Sequence, residues 1–321
     1  MRISRTLWTI IVLVIFLAVA GSYLYRRNQR SGNSASPDQA NLPTKPHKGR
    51  LAFVANPDGN WELFTMNGDG SELTQLTQTP LDERTPAISP NAEQIAYSTS
   101  DGTLWLMTIA TKATEQIPLT PGRYGYPAWL QDGSGIVFTS YKFTPGNEDA
   151  DFFIYSFRDR TQQPFLTQTG PQDFASLSPR DNALAYVSSI ATVLPHLGSK
   201  ITQQLWVVAQ DSKPVQLSVG SSTDAQPSWS PDAKWIAFSS GRSGTSDLWL
   251  ISPDGKTLKQ LTNSQAAETS PSWSPDGREI VYVSTDSGRM QLMTLDTSTL
   301  QSKPLSPFGS KPVDLKDPYW R

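Results

Sequence analysis

The sequence predicts an all-β fold, a six-bladed β-propeller closed by its C-terminal strand, preceded by one N-terminal hydrophobic helix and a flexible linker. Three observations predict it. An aliphatic residue, a small or aliphatic residue and an aromatic recur six times in the same order, as Leu51-Ala52-Phe53, Ile95-Ala96-Tyr97, Ile136-Val137-Phe138, Leu184-Ala185-Tyr186, Ile236-Ala237-Phe238 and Ile280-Val281-Tyr282. Their spacings of 44, 41, 48, 52 and 44 residues are those of an array of four-stranded units. The chain ends in Pro318-Tyr319-Trp320, in phase with Pro271-Ser272-Trp273, whereas the first unit starts without such a segment.

Each unit holds four short extended segments, here A to D. Segment A reads Pro86-Ala87-Ile88, Pro127-Ala128-Trp129, Ala175-Ser176-Leu177, Pro227-Ser228-Trp229 or Pro271-Ser272-Trp273. Turns such as Gln131-Asp132-Gly133 and Pro275-Asp276-Gly277 follow it, where Gly takes positive φ without a steric cost. The recurring triplet is B. Segment C carries Leu63-Phe64, Leu104-Trp105, Ile154-Tyr155, Leu205-Trp206, Leu248-Trp249 or Leu292-Met293. Segment D ends in Leu-Thr or Leu-Ser, from Leu76-Thr77 to Leu305-Ser306. The segments are rich in branched and aromatic residues and bounded by Gly, Pro, Asp and Ser. No sustained helical period appears after residue 50. Such units repeated radially make a propeller, and the orphan C-terminal segment supplies blade one with its inner strand, leaving no open edge in the ring.

Residues 1–30 form an N-terminal membrane anchor or signal segment. Arg2 and Arg5 precede an uncharged run from Thr6 to Tyr25, and twenty helical residues span about 30 Å, the hydrocarbon thickness of a bilayer. Two readings compete. The run is a single anchor, or a signal peptide cleaved near Ala20, after Ala18-Val19-Ala20, that releases a secreted soluble protein. Its continuation through Tyr23-Leu24-Tyr25 to Arg26-Arg27 favours the anchor. Arginines flank both ends, so charge leaves the topology open; a short tail before an export-type segment favours a propeller on the exported side. Residues 31–49 read as a disordered linker, rich in Ser, Pro, Asn, Gln and Lys. Residues 50–321 form the propeller.

The unit Pro271-Ser272-Trp273-Ser274-Pro275-Asp276-Gly277, followed by Glu279-Ile280-Val281-Tyr282, a C segment and Leu-Thr, resembles the TolB-type propeller repeat. Propellers of prolyl-oligopeptidase-like enzymes carry the same repeat. The resemblance covers residues 51–320 and is strongest at 224–306. It implies a six-bladed propeller and the bacterial envelope, since TolB is a periplasmic protein of a complex linking inner and outer membranes. TolB carries an α/β domain ahead of its propeller, and residues 31–49 are too short and polar to be one. No peptidase domain follows the repeats. The resemblance therefore implies a TolB-like protein, without carrying TolB's partners across.

Composition excludes several classes. The chain has 27 basic and 29 acidic residues and no basic patch, which argues against nucleic acid as a partner. Without cysteine it has neither disulfide nor thiolate chemistry. Two histidines, His47 and His196, exclude a His-rich metal centre. No nucleophile elbow, phosphate loop or dinucleotide fingerprint is present, and no cofactor or metal is expected.

Binding is expected on the face formed by the B–C loops and D–A connections. From B to C the units measure 12, 9, 18, 21, 12 and 12 residues, so blades three and four carry insertions. Variable loops on a rigid scaffold are where binding usually resides. The blade-three insertion offers Tyr141, Phe143, Asp149 and Asp151; the blade-four insertion offers Leu194, His196 and Leu197; the neighbouring D–A connection offers Arg123 and Tyr124. The blade-four insertion is apolar for a loop, and reads either as a docking surface or as a segment folded over its neighbours. Arg and Tyr are hot-spot types; tyrosines also plug channels. Asn147, Glu148, Asp149 and Asp151 lack the spacing of a calcium loop and read as a solvated acidic loop. Glu83, Asp224 and Glu268 each stand three residues before the strand-A proline, near the channel mouth, and are expected to fix the D–A turn.

Three functions fit. The leading one is a membrane-tethered, periplasmic, non-catalytic interaction propeller with a protein partner in the envelope. The alternatives are a carboxylate-dependent glycan hydrolase or lyase, and a small-ligand or peptide sensor that uses the channel.

Overall fold

The computed structural model describes residues 49–144, 147–194, 198–209, 212–220 and 223–321, with backbone alone at 143–144, 147–148, 190–194 and 198–200. The anchor or signal segment and nearly all of the linker lie outside the described residues. Among the described residues no helix is long and apolar enough to cross a membrane.

Six four-stranded antiparallel sheets make the blades. Blade one holds β1 (Arg50–Asn56), β2 (Glu62–Asn67) and β3 (Thr74–Gln75). Blade two holds β4 (Glu83–Ile88), β5 (Gln94–Thr99), β6 (Leu104–Thr108) and β7 (Thr114–Gln116). Blade three holds β8 (Arg123–Trp129), β9 (Gly135–Thr144), β10 (Asn147–Ser156) and β11 (Thr161–Leu166). Blade four holds β12 (Gln172–Leu177), β13 (Leu184–Leu194), β14 (Gly198–Val208) and β15 (Val215–Gln216). Blade five holds β16 (Asp224–Trp229), β17 (Ile236–Ser240), β18 (Asp247–Ile251) and β19 (Leu258–Gln260). Blade six holds β20 (Glu268–Trp273), β21 (Glu279–Ser284), β22 (Gln291–Asp296) and β23 (Ser302–Leu305).

The last strand, β24 (Asp314–Trp320), pairs with β1 as the inner strand of blade one. Its register runs from Leu51↔Trp320 to Asn56↔Asp314, and Arg50 and Arg321 exchange backbone hydrogen bonds of 2.5 and 2.8 Å. Closure by the C-terminal strand is therefore realised, and the ring is entered at Gly49, beside Arg321.

The core consists of six seams rather than one centre. Each hydrophobic cluster is shared by two adjacent blades: Leu51 and Phe53 with Val281 and Leu292, for example, and Leu104 and Leu106 with Trp129 and Phe138. The triplet residues of strand B supply most of the fully buried side chains, Tyr186, Phe53, Phe138, Phe238 and Tyr282 among them. Strand-A tryptophans bind across the seams. The Trp129 indole donates to the Ala87 carbonyl at 2.9 Å, and that of Trp273 to Ser228 at 3.1 Å.

The blade-three and blade-four insertions are paired strands, not loops. β9 and β10 pair in unbroken register up to Thr144↔Asn147, and β13 and β14 up to Leu194↔Gly198. The inserted residues lengthen strands B and C; Ile190, Thr192 and Val193 in blade four are types that suit a pleated ladder.

Candidate functional site

Two regions stand out: the hairpins on the varied face, and the channel enclosed by the inner strands. Strand B begins at the A–B turn, so the B–C hairpins and D–A connections share one end of the ring, and the A–B turns form the other.

Several expected site residues have structural roles. Tyr124 lies within strand β8, not in a connection; it is 6% exposed and packs edge-on against Phe138, ring centroids 5.4 Å apart. Arg123 is exposed and donates to the Ser100 carbonyl at 3.1 Å. Asp151 is 2% exposed; it pairs with Lys142 and accepts the Gln168 N–H at 3.2 Å. It is thus buried in a strand rather than part of a solvated acidic loop. Asp149 accepts the Ala150 N–H at 3.0 Å. Phe143 and Leu194 fall on the hairpin strands β9 and β13; His196 and Leu197 lie outside the described residues.

Tyr141 turns inward. Its hydroxyl donates to both oxygens of Asp173 at 3.0 Å, and the Thr139 hydroxyl adds a further bond at 3.0 Å. Burial pushes the Asp173 carboxyl up to about 6, against the lowering effect of the Phe174 N–H and the two hydroxyls.

Glu83, Asp224 and Glu268 are buried in the seams, at 1%, 0% and 5% exposure, and do not line the channel cavity. Glu83 accepts the hydroxyls of Thr77 and Thr79 at 3.1 and 2.9 Å. Burial pushes its carboxyl up to about 7, reinforced by a hydrogen bond with Glu62. Asp224 is gripped by Arg242 at 2.9 and 3.0 Å, and that guanidinium stacks over Phe238 and Trp249. Burial raises the Glu268 carboxyl, against the hydroxyls of Thr262 and Ser264. The D–A backbone instead donates to a carboxylate of strand C: Thr79 N–H to Glu62, Gln168 N–H to Asp151 and Ser264 N–H to Asp247.

A cavity of about 380 Å³ occupies the channel. Its floor is a ring of one residue from each inner strand: Thr85, Tyr126, Phe174, Gln226, Ser270 and Asp317. All six have positive φ, between 46° and 61°, although none is glycine. Each sits in a β-bulge where the register of strand A against strand B slips. The left-handed conformation costs roughly 1–2 kcal/mol per residue. Contacts between neighbouring ring residues offset part of it. Asp317 accepts the Thr85 N–H at 3.2 Å, Thr85 the Tyr126 N–H at 3.3 Å, and Gln226 the Ser270 N–H at 2.9 Å; the Tyr126 and Phe174 rings meet at 4.7 Å.

From that floor the cavity runs to the A–B turn end, past proline rings, Trp129, Trp229, Trp273 and Trp320, to Pro179, Pro231, Pro275 and Arg321. The cavity therefore lies toward the end opposite the hairpins. Sequence reading missed this ring. A residue before proline is biased toward extended backbone, so nothing in Thr-Pro, Tyr-Pro or Asp-Pro signals a left-handed bulge.

Fold and channel together define the class: a closed six-bladed β-propeller with a small cavity on its axis. Residues 204–314 match the TolB beta propeller domain. A protein TolB homolog of Chlorobaculum tepidum is 32% identical over 128 residues, 38% of this chain and 27% of the relative. The Tol-Pal system protein TolB of Syntrophus aciditrophicus is 31% identical over 131 residues, 39% of this chain and 25% of the relative. The matched stretches span about a quarter of the length of these curated relatives. Among solved structures, TolB from Acinetobacter baumannii superposes with a TM-score of 0.69 at 22% identity, over 85% of this chain and 66% of that one. An oligogalacturonate lyase in complex with manganese superposes with a TM-score of 0.58 at 15% identity, over 80% of this chain and 73% of that one. At these identities both show the fold alone. The chain is a TolB-like six-bladed β-propeller protein.

Proposed function

We propose that this protein is a membrane-tethered, non-catalytic interaction propeller on the periplasmic side of a bacterial envelope, and that it takes a partner's extended strand along the blade-four hairpin. The observation that carries this is an unguarded sheet edge. Five outer strands are blunted in the ways natural sheets use: β3 is two residues long, β7 carries Glu115, β11 Pro164, β19 Lys259, and β23 Lys303 and Pro304. The sixth, β15, is again two residues long. The hairpin is built otherwise. β12 pairs with β13 only as far as Ser188, so among the described residues Ile190–Leu194 has a strand on one side alone. From Leu184 to Leu194 the strand has neither charge nor proline. Such an edge accepts an added strand through its free backbone groups.

Relatives named for the Tol-Pal system support an envelope setting with protein partners. The cavity lining holds one carboxylate side chain, Asp317, whereas glycoside hydrolysis ordinarily uses a pair; this favours the interaction reading over the hydrolase.

The test is a pull-down from envelope extract with the full chain as bait. The control replaces residues 191–201 by Asn-Gly, a two-residue turn that closes the hairpin at Ile190↔Thr202. A partner captured by the full chain and lost in the control is expected; equal capture by both defeats the docking surface. Membrane fractionation with the mass of the mature N-terminus separates the anchor from cleavage near Ala20.

A further inference from the structure

The channel cavity has a chemistry that the docking reading does not use. Its lining contains two charged residues, Asp317 on the floor and Arg321 at the rim. Asp317 accepts a single hydrogen bond among the described residues, the Thr85 N–H. An ionised carboxylate offers about four acceptor sites, so most of its capacity stays unused. The nearest cations are engaged elsewhere: Arg84 stands 3.6 Å from Asp82, and the Lys316 ammonium lies over the Trp61 ring at 4.1 Å. Neither reaches ion-pair distance of Asp317 among the described residues. The protein around this carboxyl raises its pKa by desolvation, an effect only partly opposed by Lys316, the Thr85 N–H and Arg84.

The rest of the floor is aromatic or neutral and polar. Tyr126 and Phe174 meet edge-to-face on it, and Gln226, Ser270 and Thr85 complete the ring. Above it proline and tryptophan predominate in the wall, with Ser176, Ser228, Ser272 and Gln131 between them. A carboxylate at the end of an apolar, aromatic-lined tube attracts a cation and desolvates its carbon body: low-dielectric walls focus the field, and aromatic faces favour organic cations. A volume of about 380 Å³ suits one small molecule or one long side chain.

We propose that this cavity binds an organic ammonium group, an amine carried on an apolar chain, with its nitrogen at Asp317 and its carbons between the strand-A prolines and tryptophans. The same chemistry is offered by a free alkylamine and by a lysine side chain of a protein, and the probes below distinguish the two. The site is at the opposite end of the ring from the blade-four hairpin and stands independently of the docking reading.

Four tryptophans line the cavity, so intrinsic fluorescence of the full chain reports occupancy. The probes are n-octylammonium, octanoate, octanol, and a short peptide with one central lysine beside its norleucine counterpart. Saturable quenching is expected with octylammonium, and at least tenfold weaker binding with octanol and octanoate. The Asp317→Asn variant should lose at least tenfold in affinity for octylammonium while leaving octanol unchanged; Asp317→Glu should recover part of it. Thermal melts of both variants verify the fold. Binding of the lysine peptide, and not of its norleucine counterpart, assigns the site to a protein side chain; binding of octylammonium alone assigns it to a free amine. Equal affinities for octylammonium and octanol, equal affinities in Asp317→Asn and the parent, or no saturable signal from any probe overturns the proposal. The Asn-Gly hairpin variant should bind octylammonium as the parent does, which keeps this test separate from that of the docking surface.

Discussion

A buried acid can be strengthened or weakened by its neighbours, and Glu83 illustrates both. Hydroxyls of Thr77 and Thr79 favour its ionised form, whereas burial and the adjoining Glu62 carboxyl favour the protonated one, and the latter win. The folded pKa of about 7 lies above the ordinary 4.5. The native state therefore binds more protons than the unfolded chain between those values, and stability from this group falls as pH rises from 4.5 to 7, then levels off. The difference is on the order of 3 kcal/mol. Glu83→Gln keeps the shape and most hydrogen bonds without the charge. We expect its urea midpoint to exceed the parent's at pH 8 and to fall less steeply between pH 5 and 7. Parallel pH profiles for the two proteins would show that the proton is not held there. From sequence, Glu83, Asp224 and Glu268 were legible as a repeated carboxylate before the strand-A proline. That they sit in seams was not, because the side chain's direction depends on the bulge that follows.

At the scale of elements, the A–B turn is the best-determined piece of the repeat. In blade six the Ser274 hydroxyl donates to Asp276 at 2.7 Å and accepts the Glu279 N–H at 2.9 Å, while Asp276 accepts the Arg278 N–H at 3.1 Å. Blade five repeats this with Ser230, Asp232, Lys234 and Trp235. The fourth position of the turn takes a left-handed backbone whatever occupies it, Gly133 and Gly277 but also Ala92 and Ala233; in blade four, whose turn is one residue longer, Asn182 does so at the fifth. Gly277 has only the Pro231 ring near where a Cβ would sit, at 3.8 Å. Gly277→Ala should thus cost about 1 kcal/mol from backbone strain alone, measured by urea unfolding. A loss of several kcal/mol would mean that the glycine carries packing as well. These turns were legible because Ser-Pro-Asp-Gly states its own hydrogen bonds. The hairpins were legible as insertions but not as strands, since length reveals an insertion and only pairing partners decide its form.

For the whole molecule, the question is where a ring made from one chain should have its break. Here it falls inside blade one, between Arg321 and Arg50, so parting the ends means unzipping β24 from β1 as well as opening the seam with blade six. A permuted chain tests whether that placement matters. Residues 310–321 would be moved to the front and joined to Arg50 through Pro-Asp-Gly, the turn the other blades use, with new ends at Gly309 and Ser310. Gly309 has nothing within 4 Å of an added Cβ, so the site tolerates ends. The permuted ring keeps every strand and every seam, but its break now lies between blades, where side-chain packing alone holds it. Freed from covalent restraint at that point, the seam no longer has a backbone ladder across the break. The ladder's hydrogen bonds are each worth about 0.5–1.5 kcal/mol net. We therefore expect the permuted chain, compared with residues 49–321 in the original order, to fold to the same circular dichroism spectrum and to unfold about 2–5 kcal/mol more easily. The loss should vanish when blades six and one are joined by restoring the 309–310 link in a chain that duplicates β24 at both ends. A permuted ring as stable as the original would show that a seam of side chains closes the propeller as firmly as the ladder between β24 and β1 does.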